Sequence, residues 1–257
     1  MGVADLNFKS VKMGGLRKFY KEFSYWWSLR RARHVVCISE FTRGEVVEAY
    51  GIEGARVSTV HHGASDLSLI DCAEMEVPFP RFWVTFGHQA HKNVDTVLRA
   101  MVLDSAGRHK LVVVGKHEYI DHVLKPLASE LGVERRVYFA GRVSDQQLAW
   151  LYRNSLGLIF VSLYEGFGLP VLEAMTAGCP VIASDRCSIP EVAGDAAYLV
   201  PACSETAIFT AMEQLSIDAR YREALIERGR RRASGFTWRE SAQKTFDIMK
   251  SMRGNGA

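Results

Sequence analysis

Nowhere does the sequence hold an apolar run near the roughly 20 residues that cross a bilayer as a helix. Its first residues also lack the charged-then-apolar order of a secretion signal. It has no strong excess of one charge: 32 Lys and Arg stand against 29 Asp and Glu, a formal +3. That imbalance is too small to argue for a nucleic-acid partner. The five cysteines, Cys37, Cys72, Cys179, Cys187 and Cys203, show neither paired nor metal-type spacing. Reduced thiols in a cytoplasmic compartment are the simplest reading. His61 and His62 are adjacent, and neighbours on a strand point to opposite faces, so no metal is expected there. Internal repeats and low-complexity tracts are absent. What remains is an ordinary globular composition, 48% apolar and 24% charged over 257 residues, enough for one large domain or two small ones.

The pattern that is present is strand alternating with helix. Short apolar runs at 34–38, 57–60, 81–86, 110–114, 137–140, 156–161, 180–183 and 197–200 read as buried strands. Helical stretches separate them, at 40–50, 94–101, 120–131, 146–153, 205–216, 219–233 and 239–252. Ser39, Ser144 or Asp145, and Ser204 stand at helix starts, and Gly51 and Gly178 at helix ends. This alternation predicts a doubly wound parallel sheet of Rossmann-like type. Residues 64–80, with Pro78 and Pro80 and no clear period, read as a linker. The arginines at 228, 230, 231 and 232 read as a solvated helix face.

The most informative stretch runs from Ser162 to Met175, after the apolar run 156–161. The chain turns through Gly166 and Gly168, and Pro170 fits the first position of a new helix. Glu165 then lies in a loop at a strand's carboxyl end and Glu173 in the first turn of the following helix. Acids at such places are also favoured by the helix dipole alone. A second loop, Gly87 to Asn93, places Gly87, Lys92 and Asn93 between the 81–86 strand and the next helix, a phosphate-type cradle. Lys92 could equally be a solvated surface lysine.

The spacing Glu165-x7-Glu173 resembles the Glu-x7-Glu motif of retaining GT-B glycosyltransferases of family four. The resemblance extends through Glu165-Gly-Phe-Gly-Leu-Pro, Glu173-Ala-Met-x-Ala-Gly178-x-Pro180 and Ile189-Pro-Glu191-Val-x-Gly194-Asp195. It implies residues 81–235 as the nucleotide-sugar-binding domain and residues 1–65 as the end of an N-terminal acceptor domain. Residues 66–80 would link them, and 236–257 would form a crossover helix opened by Phe236-x-Trp238. By resemblance, Glu173 accepts hydrogen bonds from the donor's ribose and Lys92 meets its diphosphate. Glu165 faces the transferred sugar as the catalytic residue, and backbone N–H groups of Gly166, Phe167 and Gly168 hold the sugar, with Leu169 following. Gly87 and Asn93 belong to the phosphate loop, and Arg142 and Val143 are candidates to hold the base. The family's second phosphate-binding arginine is absent here, with His88 or His91 near its place. Asp-x-Asp, which holds a metal-bound diphosphate in the other major glycosyltransferase fold, appears nowhere. No metal and no cofactor are therefore expected, the nucleotide-diphospho-sugar being a substrate.

The expected activity is retaining transfer of a sugar, from GDP-mannose or a UDP-sugar, to a glycan or lipid-linked acceptor. The alternative is a nucleotide-sugar-binding module that needs a partner or is inactive alone. A sugar-nucleotide epimerase on the same fold fits the 165–173 pattern less well. Residues 14–34 carry Leu16, Phe19, Tyr20, Phe23, Trp26 and Trp27 at helical spacing, with Arg17, Lys18, Lys21, Arg30, Arg31 and Arg33 around them. Such a stripe either packs on a protein core, its commoner use, or lies on an anionic membrane surface. The latter would make the chain peripheral at the inner membrane face. A partner protein or self-association is the remaining expectation.

Overall fold

The computed structural model describes residues 1–6 and 15–254. Residue 14 and the side chains of Leu16, Arg17 and Lys18, part of the expected aromatic and basic stripe, lie outside that set. The chain forms two compact units. One gathers residues 1–64, 165–168 and 236–257, and the other residues 65–164 and 169–235.

In the first unit, β1 (Gly2–Val3), α1 (Gly15–Arg31), β2 (Val35–Cys37), α2 (Glu40–Tyr50) and β3 (Val57–Thr59) follow in order. The strands form a parallel three-stranded sheet, β1-β2-β3, with Val36 opposite Ser58. Val35, Cys37, Val46, Val57, Leu6 and Leu29 make its core. Ser39 caps α2 by accepting from the Thr42 N–H, and Gly51 closes it in the left-handed conformation, as the sequence signals required.

The second unit runs β4 (Trp83–Phe86), α3 (Val94–Val102), β5 (Leu111–Val114), α4 (Lys125–Glu130), β6 (Val137–Gly141), α5 (Asp145–Asn154), β7 (Gly157–Phe160), α6 (Leu169–Thr176), β8 (Val181–Ser184), α7 (Ile189–Ala193), β9 (Tyr198–Val200), α8 (Glu205–Ile217) and α9 (Ala219–Ser234). The last helix, α10 (Trp238–Gly254), belongs to the first unit. The six strands are all parallel in the order β6-β5-β4-β7-β8-β9. Strands such as Leu-Val-Val-Val and Gly-Leu-Ile-Phe are buried along their whole length. That is why they read as continuous apolar runs: helices cover both faces of a parallel sheet. Val97, Leu98 and Met101 of α3 and Met212 and Leu215 of α8 complete the core. A capping box of Ser144 and Gln147 starts α5.

Three expectations are corrected. Residues 66–80 are not a free linker, because their first half is stitched to the second unit. Leu67 is buried with its N–H on the Thr176 hydroxyl, and Arg153 donates to the carbonyls of Leu67, Ser68 and Ile70. Arg232 is not on a solvated face, since its guanidinium donates to the carbonyls of Glu191 and Val192 and closes the end of α7. The stripe of α1 does not pack on the core. Leu29 points inward with Tyr25, whereas Phe19, Tyr20, Phe23, Trp26 and Trp27 are all exposed. Among the described residues, no helix is long and apolar enough to cross a membrane.

Candidate functional site

The strand order puts β4 beside β7, while the chain leaves β4 towards β5 and leaves β7 towards β8. In open α/β sheets the crevice beyond the carboxyl ends at such a switch point receives the ligand. Two loops meet there. Leu163 N–H donates to the His91 carbonyl at 2.8 Å. The Asn93 amide donates to the carbonyls of Val161 (3.0 Å) and Ala202 (2.7 Å) and accepts from the Thr96 hydroxyl (2.7 Å). Asn93, at φ 60°, thus ties the ends of β7 and β9 to the turn before α3. Its side chain is fully committed inside the fold and holds the turn that carries Lys92.

Lys92 is only 9% exposed, and its Nζ lies 4.8 Å from the centroid of the Phe160 ring, at the end of β7. The face of an aromatic ring favours the ammonium and offsets part of its desolvation. A cation held in this way at the switch point suits an anionic phosphate group. The solvated-lysine reading of Lys92 is thereby removed. Gly87 has a different reason from the one the loop suggested. Its N–H donates to the Val114 carbonyl, and a Cβ there would stand 2.5 Å from Val113 Cγ1 and 3.1 Å from Leu124 Cδ1. Packing against β5 and the turn before α4 requires glycine at this position.

Helix α6 starts at Leu169, directly after Gly168 at φ 103°. Pro170 is therefore its second residue and Glu173 its fifth, one residue further in than expected. Glu173 receives little of the dipole support that first-turn acids enjoy. Burial, and then the nearby charge of Asp145, raises its carboxyl above the usual value. Asp145 opens α5, so the loop carrying exposed Arg142 and half-buried Val143 runs beside Glu173. Tyr152, buried in α5, donates to the Pro170 carbonyl at 3.4 Å. Its phenol is pushed well up by burial and then by Glu173. Asp145, Tyr152 and Phe160 were invisible in the sequence as site neighbours. An acid after a cap and aromatics on apolar faces carry no other signal.

The segment Glu165–Gly168 packs in the first unit. The Gly166 carbonyl accepts from Ser39 Oγ at 2.7 Å and Thr42 Oγ1 at 3.3 Å. A Cβ on residue 166 would lie 2.3 Å from the Ala4 carbonyl oxygen, so only glycine fits so close to that backbone. Phe167 is buried among the rings of His61, His62 and Phe236, at 5.6–6.0 Å between centroids. Half-buried Glu165 and Leu169 flank this clamped pair of residues and Gly168. His61 and His62 serve this aromatic cluster, and the described residues contain no group of three acids, histidines or cysteines placed to hold a metal.

A parallel sheet with a lysine-bearing turn and an acid-bearing helix at its switch point defines a Rossmann-like protein of the GT-B class. The chain belongs to the family of glycosyl transferases group 1, whose model matches residues 86–232, and the model of glycosyltransferase family 4 matches residues 5–66. Among characterised relatives, it is 29% identical over 243 residues to O-antigen chain mannosyltransferase B of Escherichia coli, covering 90% of this chain and 64% of that one. It is 26% identical to O-antigen chain mannosyltransferase RfbU of Salmonella typhimurium, covering 72% of this chain and 51% of the relative. The chain thus spans about half to just under two thirds of these relatives' length. Among solved structures, sucrose-phosphate synthase from Thermosynechococcus elongatus superposes with a TM-score of 0.83 at 19% identity, covering 99% of this chain and 68% of that one. Anabaena HepE in complex with UDP and glucose gives 0.80 at 17% identity, covering 97% and 70%. At these identities the structural likeness speaks for the fold.

Proposed function

We propose that the chain is the donor-binding part of a glycosyltransferase that moves a sugar from a nucleoside-diphospho-sugar to a glycan or lipid-linked acceptor, with retention of configuration. The observation that carries this reading is the Lys92 ammonium held against Phe160 at the β4–β7 switch point, with the half-buried Glu173 on the helix that follows β7. Lys92 neutralises the diphosphate, whose charge grows as the bond to the sugar breaks. Glu173 accepts from both ribose hydroxyls, as a carboxylate can. Glu165 faces the transferred sugar, and the Gly166–Gly168 backbone orients it. Arg142 and Val143 line the base. The relatives named as mannosyltransferases favour mannose as the sugar, and the HepE complex supports a nucleoside diphosphate as its carrier. GDP-mannose and UDP-sugars are the donors to test. The absence of Asp-x-Asp supports transfer without a metal, and the five free cysteines support a cytoplasmic setting.

The second reading is a binding module active only with a partner. Calorimetry with GDP-mannose, UDP-glucose and ADP-glucose, followed by assay of released nucleoside diphosphate with and without lipid-linked glycan, separates the two. Acceptor-dependent release supports the transferase. Donor binding without acceptor-dependent release supports the module, and binding of none of the three refutes both.

A further inference from the structure

Helix α5 begins where β6 ends, on the same edge of the sheet as the β4–β7 switch point. Gly141 closes β6 at φ 70°, and its carbonyl accepts from the Gly115 N–H at 2.8 Å. That bond ties this end to the end of β5, the neighbour of β4. Ser144 and Gln147 commit their side chains to each other's backbone N–H groups. Asp145, the first residue of α5, keeps an exposed carboxylate that no hydrogen bond or ion pair engages among the described residues. Tyr152 stands seven residues further on, so the two side chains share a face of the helix. The hydroxyl of buried Tyr152 donates to the Pro170 carbonyl in the first turn of α6, so that face looks onto α6. Asp145 lies about 10 Å closer to the start of α5 than Tyr152, and its side chain leans further that way. Its charge reaches Glu173 and helps to raise that carboxyl.

We propose that Asp145 makes the donor site selective for guanine, so that the chain takes a guanosine-diphospho-sugar in preference to its uridine and adenosine counterparts. This selectivity rests on the proposed donor site, in which Glu173 holds the ribose and the loop before α5 meets the base. An ionised carboxylate is an acceptor only, with two oxygens side by side. Guanine presents N1–H and N2–H2 as adjacent donors, and two parallel hydrogen bonds to a charged acceptor fix both position and identity. Uracil offers one N–H between two carbonyl oxygens. Adenine offers one amino group beside a bare ring nitrogen. Each sets lone pairs against the carboxylate, and a site built to hydrogen-bond a partner rejects an analogue that cannot answer it. The exposed Arg142 guanidinium, three residues earlier, suits the O6 and N7 acceptors on guanine's adjoining edge. The fold does not need the Asp145 carboxylate. Ser144 and Gln147 supply the cap, and a first-turn acid adds only a small dipole term.

The test is calorimetric titration of the full chain with GDP, IDP, UDP and ADP, repeated with Asp145→Asn and with Lys92→Ala. IDP is GDP without the N2 amino group. The unmodified chain should bind GDP about tenfold or more tighter than the other three, the scale of a lost hydrogen bond to a charged group. The comparison of GDP with IDP needs no variant. Asp145→Asn should bring GDP to within about threefold of IDP, one acceptor and one donor then standing where guanine needs two acceptors. The variant also loses a negative charge, which shifts all four diphosphates alike, so the ratios carry the answer. Lys92→Ala should weaken all four by a common factor and leave the ratios intact. UDP or ADP binding as tightly as GDP, or a GDP-to-IDP ratio that Asp145→Asn leaves unchanged, overturns the guanine selectivity while the donor site stands. Binding of none of the four by the unmodified chain overturns the donor site and the selectivity with it.

Discussion

Lys92 and Glu173 occupy the same switch point with opposite electrostatic histories. Lys92 is supported by an aromatic face, whereas burial and the charge of Asp145 oppose ionisation of Glu173. Lys92→Ala should weaken nucleoside diphosphate binding by about 1.5–3 kcal/mol, the scale of a hydrogen bond to a charged group. A titration comparing the two proteins checks it. For Glu173 the sign follows from its raised carboxyl. Such a group lowers stability as pH rises from its ordinary value of 4.5 through its raised value, and the loss is complete above that. Glu173→Gln should therefore melt at a higher temperature than the unmodified chain at pH 7, with the gap closing below pH 4.5, while its nucleotide affinity falls. Thermal scans across pH read the first effect, and a lower melting temperature at pH 7 would contradict it. Glu165→Gln should leave the diphosphate's affinity alone and weaken only the sugar-bearing donor.

At the scale of elements, much of the architecture was legible because β5, β7 and β8 are fully buried runs and several helices carry their own punctuation. Ser39, Gly51, Ser144 and Ser204 act where their chemistry indicated. Less legible were the features that depend on what lies opposite. Gly87 is required by its packing on Val113 and Leu124, which the loop's own sequence does not show. The start of α6 fell one residue early because Gly168 takes a positive φ, which moves Glu173 out of the first turn. The aromatic stripe of α1 has helical spacing on either reading, and only the inward placement of Leu29 shows which face meets the core. Ser39 joins two elements, capping α2 and donating to the Gly166 carbonyl. Ser39→Ala should destabilise the first unit by about 1–3 kcal/mol, the sum of a cap and a buried hydrogen bond. Urea unfolding followed by a probe in the 1–64 segment measures it.

For the whole molecule, the two units are expected to differ in what they accomplish alone. The second unit has a continuous six-stranded core and the elements proposed to hold the donor. The first has three short strands and an exposed aromatic plate. Holding an acceptor hydroxyl in line contributes several kcal/mol to lowering the barrier, about 7–11 in the best intramolecular cases. With donor alone and no acceptor, the chain should release its nucleotide only slowly, by hydrolysis. Nucleotide release that is equally fast without an acceptor would contradict this.

The central claim, that the β4–β7 switch point is a nucleoside diphosphate site built around Lys92, is tested most directly by calorimetric titration of the full chain and its Lys92→Ala variant with GDP and with UDP. One nucleotide should bind the unmodified chain at one-to-one stoichiometry, with an affinity at least tenfold weaker in the variant. Binding of neither nucleotide, or equal affinity in the two proteins, would contradict the claim.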